Sequence, residues 1–480
     1  MFQTIQTPFI FTIFGASGDL AKVKIFPSLY SLAAQHRLPE NYFIVGYARS
    51  EKTDEEFRQE FRKSIEKHCK NDSSKIAFCE ETIEKLLSHV LYFSGQYTEL
   101  GDFERYFDFL EKISAEKDHA IPETHIAYFS VPPSVFQPIL QNIAFARKSR
   151  EDDIRVVLEK PFGEDQASAE QLFHFISRFY DEKQIFLLDH YLGKTAVQSI
   201  LTLRHHNSVL NLLLEGKNIA SIQITAHETL GVEDRAGYFD NVGLIKDMFQ
   251  SHITQLLAMI TMSIPIKADG KSFHREKQSI LAALDFTPKK HNIFRAQYKG
   301  YRDIPGAKAN SETETYFGAK LKIDRESWYG VPIFIRTGKR LKTKLTSIVV
   351  EFKKLPFQPE NTEPNLLVFE LQPREMIHIK LLNQFGKSSE YHEIGTSESI
   401  ACRGDDCLPE HSLLLLDVLD RNKLHFLSFP EILESWRVTD AILQFIREKE
   451  IPLHEYEPGG NAPKEIEGMF QKQQDRWFEV

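Results

Sequence analysis

The sequence predicts two domains: an α/β N-terminal domain built on a doubly wound parallel sheet, and a larger α+β C-terminal domain with a mostly antiparallel sheet. Three observations carry this. The chain has 480 residues, about three times the ~150 at which a single core saturates. Residues 1–189 alternate short, continuously apolar runs with amphipathic segments, the rhythm of buried parallel strands joined by helices. After about residue 190 the runs follow one another with few helices between them and alternate apolar with polar positions.

The first-domain strands are expected at Phe9–Phe14, Tyr42–Tyr47, Val90–Phe93, His125–Val131, Ile154–Leu158 and Ile185–Leu188. Thr53-Asp54-Glu55-Glu56 is a capping box, and Phe57, Phe61 and Ile65 follow at helical spacing. In the second domain, 190–480, a helix is expected at Thr195–Arg204 and strands at Ile219–His227, Val331–Arg336, Ser347–Phe352, Asn365–Leu371 and Ile377–Leu382. Proline marks Lys354–Pro364 and Pro458–Pro463 as loops.

A formal charge of −9 argues against a sequence-independent grip on nucleic acid or anionic lipid. No apolar run approaches the ~20 residues that span a bilayer, and Met1–Phe14 reads as a strand opening a domain, so a cytoplasmic protein is expected. Cys69, Cys79, Cys402 and Cys407 show no metal-ligand spacing, and no metal is expected; Cys402 and Cys407 bracket a turn-like segment suited to a loop disulfide only in an oxidising compartment.

Chemistry concentrates where strands end. Gly15-Ala16-Ser17-Gly18-Asp19-Leu20-Ala21 follows the first strand and opens a helix, where backbone N–H groups and the helix dipole favour a pyrophosphate. Its spacing, GxxGxxA, departs from GxGxxG, and a merely tight turn is the alternative. Arg49 stands after the second strand, where NAD-binding folds usually carry a carboxylate for the ribose diol; a guanidinium there suits the 2′-phosphate of NADP. Lys160, in Glu159-Lys160-Pro161-Phe162-Gly163, lies beyond the fifth strand, a ligand position in such folds, although a solvated turn lysine reads the same way.

Asp189-His190-Tyr191-Leu192-Gly193-Lys194 offers imidazole, phenol and ammonium donors before a helix N-terminus, the equipment for a phosphate. Asp189, an acceptor only, suits orienting a histidine. The segment from Gly237 to His252 continues into a helical apolar pattern of Leu244, Ile245, Met248, Leu256, Leu257 and Ile260. Asp247 and His252 are about 140° apart on a regular helix, so they converge on one ligand only if the helix bends or the ligand reaches around it; periodicity assigns neither a role. Gly338 to Lys344 is a basic run whose default reading is a solvated loop.

With these motifs in this order, the chain resembles the glucose-6-phosphate dehydrogenase family over nearly its full length. The resemblance rests on GASGDLA, ARS, EKPFG, DHYLGK, GYFD with IKDMFQSH, RTGKRLKTK, Leu416-Asp417-Val418 and Glu434-Ser435-Trp436-Arg437. It implies oxidation of β-D-glucose 6-phosphate at C1 to 6-phospho-D-glucono-1,5-lactone with hydride transfer to NADP, the first step of the oxidative pentose phosphate pathway. His252 would be the general base, and Asp189 would orient and stabilise its imidazolium form. His190, Tyr191, Lys194, Lys339 and Lys344 would bind the sugar phosphate, Glu228 and Asp247 the sugar hydroxyls. Lys160 would bridge sugar and nicotinamide, and Gly15, Ala16, Ser17, Gly18, Asp19, Leu20 and Arg49 would form the coenzyme site.

Leu187 and Lys344 stand where animal members carry Arg, and Leu345 and Lys246 replace a Lys and an Arg at those members' second NADP site, so that site is expected to be lacking. The resemblance also implies a homodimer or homotetramer. The competing class, a non-catalytic NADP-binding sensor, needs neither Asp189, His252 nor Lys160.

Overall fold

The computed structural model describes residues 5–71, 78–116, 124–147, 153–358, 362–383, 392–402, 407–470 and 476–479. Its contacts divide the chain into two units, Met1–Gly163 with Ala167–Gly193 and Cys402–Ser428, and Glu164–Gln166 with Lys194–Ala401 and Phe429–Val480.

In the first unit, β1 (Phe9–Phe14), β2 (Tyr42–Ala48), β3 (Val90–Ser94), β4 (Thr124–Phe129), β5 (Asp153–Glu159) and β6 (Ile185–Leu188) form one sheet of order β3-β2-β1-β4-β5-β6. Every neighbouring pair is parallel. The expected strands are present, with β4 ending two residues earlier than its apolar run. β1 is buried along its whole length because helices cover both faces of a doubly wound sheet. The order reverses between β1 and β4, and the carboxyl ends there are where ligands of such sheets bind. The capping box forms: the Glu56 N–H donates to Thr53 Oγ1 at 3.2 Å and the Thr53 N–H to Glu56 Oε2 at 2.8 Å. Behind it Phe57, Phe61 and Ile65 are fully buried, Phe61 stacked on Phe26.

The segment Cys402–Ser428, which the sequence reading puts with the second domain, packs in the first unit. The helix Glu410–Leu419 buries Leu414, Leu415 and Val418 in the same core as Phe26 and Leu29. The Arg155 guanidinium donates to the Val418 and Leu419 carbonyls at 2.7 and 2.6 Å, satisfying the helix C-terminus. An apolar helix pattern announces burial but not the partner surface. Just before this helix Cys402 and Cys407 are joined by a disulfide.

The second unit is built on β7 (Ile219–His227), β8 (Leu284–Phe286), β9 (Ile293–Tyr298), β10 (Tyr316–Ile323), β11 (Ile333–Gly338), β12 (Leu345–Phe352), β13 (Leu366–Gln372), β14 (Met376–Asn383), β15 (His392–Ser399) and β16 (Leu453–Tyr456). Their order is β15-β14-β13-β12-β7-β11-β10-β9-β16, with β8 on β10. The sheet is mostly antiparallel, as expected, with β7–β11 and β9–β16 parallel. The expected helix runs Thr195–His206. The expected regular helix after Gly237 is instead three pieces: Ala236–Leu244, broken at Gly243; a π-helix, Ile245–Ile253; and an α-helix, Thr254–Thr261.

Candidate active site

The glycine loop is shaped by close approach. Gly15 has φ +86°, and a Cβ there would lie 2.2 Å from the Ser130 carbonyl oxygen beyond β4, so only glycine fits. The Gly15 N–H donates to the Tyr47 carbonyl at 2.9 Å and the Gly18 N–H to the Gly15 carbonyl at 2.9 Å. These two groups are spent on the turn itself; the start of the helix just beyond, with Ser17, Asp19 and Leu20, is what the turn presents. Arg49 is exposed one residue past β2, its guanidinium carbon 5.8 Å from the Tyr97 ring centroid. Tyr97 was not singled out from sequence, yet it lies three residues past β3, and the strand-end rule that found Arg49 reaches it too.

Lys160 directly follows β5, and its bond to Pro161 is cis. The preceding Glu159 is held by the buried Tyr128 hydroxyl, which donates to its Oε1. His411 Nε2 lies 3.7 Å from the same oxygen. Asp189 follows β6 and is fully buried; its Oδ1 accepts the Tyr191 N–H at 2.9 Å and its carbonyl the Leu192 N–H at 3.0 Å, which winds His190–Gly193 into a 3₁₀ turn. Tyr191 is buried in that turn. A Cβ on Gly193 would meet the Glu410 carbonyl at 2.9 Å, so the helix Glu410–Leu419 lies directly on the turn.

In the second unit, Lys194 is buried at the N-cap of Thr195–His206. Sheet order gathers three more predicted residues from distant sequence. Gly338 pairs with His227 on one side of β7, and Leu345 pairs with His227 on the other. Lys339, Glu228 and Lys344 therefore stand together just past the paired residues. Lys339 Nζ lies 2.5 Å from Glu228 Oε2 and 3.3 Å from Asp247 Oδ2. Burial works to lower the Lys339 pKa, but the Asp247 and Glu228 carboxylates outweigh it and hold the ammonium above its ordinary value. Lys344 is exposed, and its basic neighbour Lys339 is not; the solvated-loop reading holds for only part of the run.

The π-helix narrows the angular problem of Asp247 and His252. A π-helix bonds residue i to i+5 and winds more slowly than an α-helix, so positions five apart diverge less than on a regular helix. In this helix His252 is buried at 3% exposure, while Asp247 is half-buried. The same helix is held from outside by Gln250, whose Nε2 donates to Ser435 Oγ at 2.9 Å.

A first unit with a doubly wound sheet and a glycine-only first turn, and a second unit that carries a buried imidazole, two carboxylates and lysines, together define a dinucleotide-dependent oxidoreductase of a polar substrate. The matches to known proteins narrow the class. Residues 12–199 match the glucose-6-phosphate dehydrogenase NAD binding domain, and residues 201–478 the glucose-6-phosphate dehydrogenase C-terminal domain. The chain belongs to the glucose-6-phosphate dehydrogenase family.

It is 35% identical over 472 residues to glucose-6-phosphate 1-dehydrogenase 5, cytoplasmic, of Arabidopsis thaliana, covering 96% of this chain and 90% of that one. It is 33% identical over 500 residues to glucose-6-phosphate 1-dehydrogenase of Bacillus subtilis (strain 168), covering 100% of both. A solved glucose-6-phosphate dehydrogenase in complex with its substrate glucose-6-phosphate superposes with TM-score 0.91 at 29% identity, over 100% of both chains. The likeness to a super-repressor mutant of Gal80p from Saccharomyces cerevisiae, TM-score 0.53 at 10% identity, shows the fold alone and gives the sensor reading no support.

Proposed function

We propose that this chain oxidises β-D-glucose 6-phosphate at C1 to 6-phospho-D-glucono-1,5-lactone, with NADP as the hydride acceptor. The observation that carries the reaction is the π-helix that holds a buried imidazole, His252, together with Asp247, itself tied through Lys339 to Glu228. Family membership supplies the substrate.

The first unit fits a dinucleotide: the Gly15 cradle would be filled by any Cβ, and Arg49 beyond β2 offers a cation to a 2′-phosphate. NADP held there would supply the acceptor for the C1 hydride. The protein does the rest. His252, in its neutral imidazole form, accepts the C1 hydroxyl proton, which raises electron density at C1 as hydride leaves. Asp189 supplies the fixed negative charge that favours the resulting imidazolium. Glu228 and Asp247 accept from sugar hydroxyls, and Lys339 holds both carboxylates in place. His190, Tyr191, Lys194, Lys339 and Lys344 take the phosphate, and Lys160 serves both ligands.

The Arabidopsis relative is named cytoplasmic, and we place this chain there also, where the adjacent Cys402 and Cys407 would be kept as thiols; no helix among the described residues is long and apolar enough to cross a membrane. The outermost strand β15 is almost wholly exposed, which supports a homodimer or homotetramer formed through this edge.

The test is NADPH formation with glucose 6-phosphate, compared with glucose, galactose 6-phosphate and NAD. Turnover strongly preferring glucose 6-phosphate with NADP is expected. Equal rates with unphosphorylated glucose overturn the phosphate assignments, and equal rates with NAD overturn the role of Arg49.

A further inference from the structure

The turn Ser311-Glu312-Thr313-Glu314-Thr315, just before β10, carries no motif of its own, yet it grips the π-helix region repeatedly. The Ser311 hydroxyl donates to Asp240 Oδ1, and the Thr313 hydroxyl donates to the Asp240 carbonyl at 2.7 Å. Glu314 then takes two consecutive N–H groups. Its carbonyl accepts from Leu244 at 3.3 Å and its Oε1 from Ile245 at 3.0 Å. The next residue reaches the other side of the site, where the Thr315 carbonyl accepts the Lys339 N–H at 2.9 Å.

These bonds fall at the break between helix types. Gly243 has φ +74° and ψ 165°, non-helical values that end one helix, and Ile245 opens the π-helix that holds Asp247 and His252. A Cβ on Gly243 would lie 2.6 Å from Glu314 Oε1, so the carboxylate occupies the space that glycine leaves. The orphan N–H groups of a helix start need acceptors, and an anionic one is favoured by the dipole. Glu314 is 8% exposed, and burial raises its carboxyl pKa while the N–H groups of Ile245 and Leu244 pull the other way.

We propose that Glu314 is a positioning residue for the sugar oxidation: its carboxylate and carbonyl fix the start of the π-helix at the Gly243 break and thereby the π register that sets where Asp247 and His252 project. This rests on the reading of His252 as the base. If the start slips to an α register, the two side chains swing about 140° apart and the imidazole leaves the sugar site. Thr315 ties the same turn to Lys339, so the turn couples the helix to the strand-end lysine.

The experiment uses the full chain with Glu314→Ala, Glu314→Gln, Gly243→Ala, His252→Asn and the double variant Glu314→Ala/His252→Asn. Each is read for kcat, KM for glucose 6-phosphate, the isotope effect with C1-deuterated substrate, Kd for NADP and melting temperature. Glu314→Ala is expected to lower kcat roughly 10- to 100-fold, as a misplacement of about 1 Å does, with Kd for NADP nearly kept and the C1 isotope effect altered. Gln keeps an acceptor for Ile245 and recovers most of the rate. Gly243→Ala reproduces the Glu314→Ala loss. The double variant loses less than the product of the single losses, because Glu314 acts through His252.

Unchanged kcat in folded Glu314→Ala, beside a His252→Asn enzyme that has lost turnover, overturns this proposal alone. Fully multiplicative losses in the double variant also overturn it. Normal turnover in His252→Asn overturns the base reading on which it rests.

Discussion

Arg49 and Tyr97 show how far a single residue reveals its work. Arg49 was legible because its position after β2 is where a ribose is met, and no contact was needed to find it. The same rule reaches the position of Tyr97, three residues past β3, but an aromatic there carries no sign of the guanidinium above it. Replacing Arg49 by Asp puts a carboxylate opposite a 2′-phosphate and removes a charge-assisted hydrogen bond worth about 1.5–3 kcal/mol. NADP affinity is expected to fall far more than NAD affinity; the ratio of the two dissociation constants in Arg49→Asp checks it, and an unchanged ratio removes Arg49 from the coenzyme site. For the base, His252→Asn is expected to retain fold and binding of each ligand while turnover drops about 10²- to 10⁴-fold. Asp189→Asn should lose a comparable or smaller factor, and the two losses should be less than multiplicative. Turnover, ligand dissociation constants and melting temperature of the three variants separate this from a structural histidine, which would lose stability and binding together.

Elements were legible as far as local pattern dictates them. The capping box and the Phe57, Phe61 and Ile65 stripe give the helix Asp54–Asn71 directly. The π-helix was not legible, because an i to i+5 register is imposed by what holds the helix start and flank, Glu314 and Ser435, which lie far away in sequence. A second such contact joins the helices Gly270–Ala283 and Phe429–Glu448. Glu431, wholly buried, lies 2.8 Å from Lys277 Nζ and 2.6 Å from His274 Nδ1. Burial alone would raise the Glu431 pKa, but the Lys277 ammonium, with the His274 ring beside it, overcomes this and brings it from 4.5 down to about 2. A depressed carboxylate stabilises the fold fully above its unfolded pKa and progressively less as pH falls from about 4.5 to about 2. Glu431→Gln leaves Lys277 buried without its counter-charge and is expected to cost about 3 kcal/mol near neutrality. Urea unfolding of both proteins across pH should show the gap widest above pH 5 and closing toward pH 2; a constant gap would exclude the ion pair as its source.

At the scale of the whole molecule, the sequence order of elements foretells the first sheet but not how the chain returns to it. Sequential βαβ units predict β1 to β6 because each strand is followed by the helix that covers it. The Lys339, Glu228 and Lys344 grouping depends instead on β7 lying between β11 and β12, an order no local pattern encodes. The return of Cys402–Ser428 to the first unit is of the same kind, and it makes a prediction that local reading would not. Leu415, 1% exposed, sits in a core shared with Phe26, Leu29 and Leu32, more than 380 residues earlier in the chain. Leu415→Ala removes buried methyl groups and leaves a cavity, at a cost of about 2–5 kcal/mol. The loss should appear where the core is, not where the residue lies in sequence. Hydrogen exchange of the variant is expected to accelerate in Phe26–Ala34, in β1 and β2 and in Glu410–Leu419, because local opening follows the packed unit. Strands β12 and β13, nearer in sequence, should exchange at the unsubstituted rate. Acceleration confined to β12, β13 and the helix itself would place Cys402–Ser428 with the second unit and overturn the division of the chain described here.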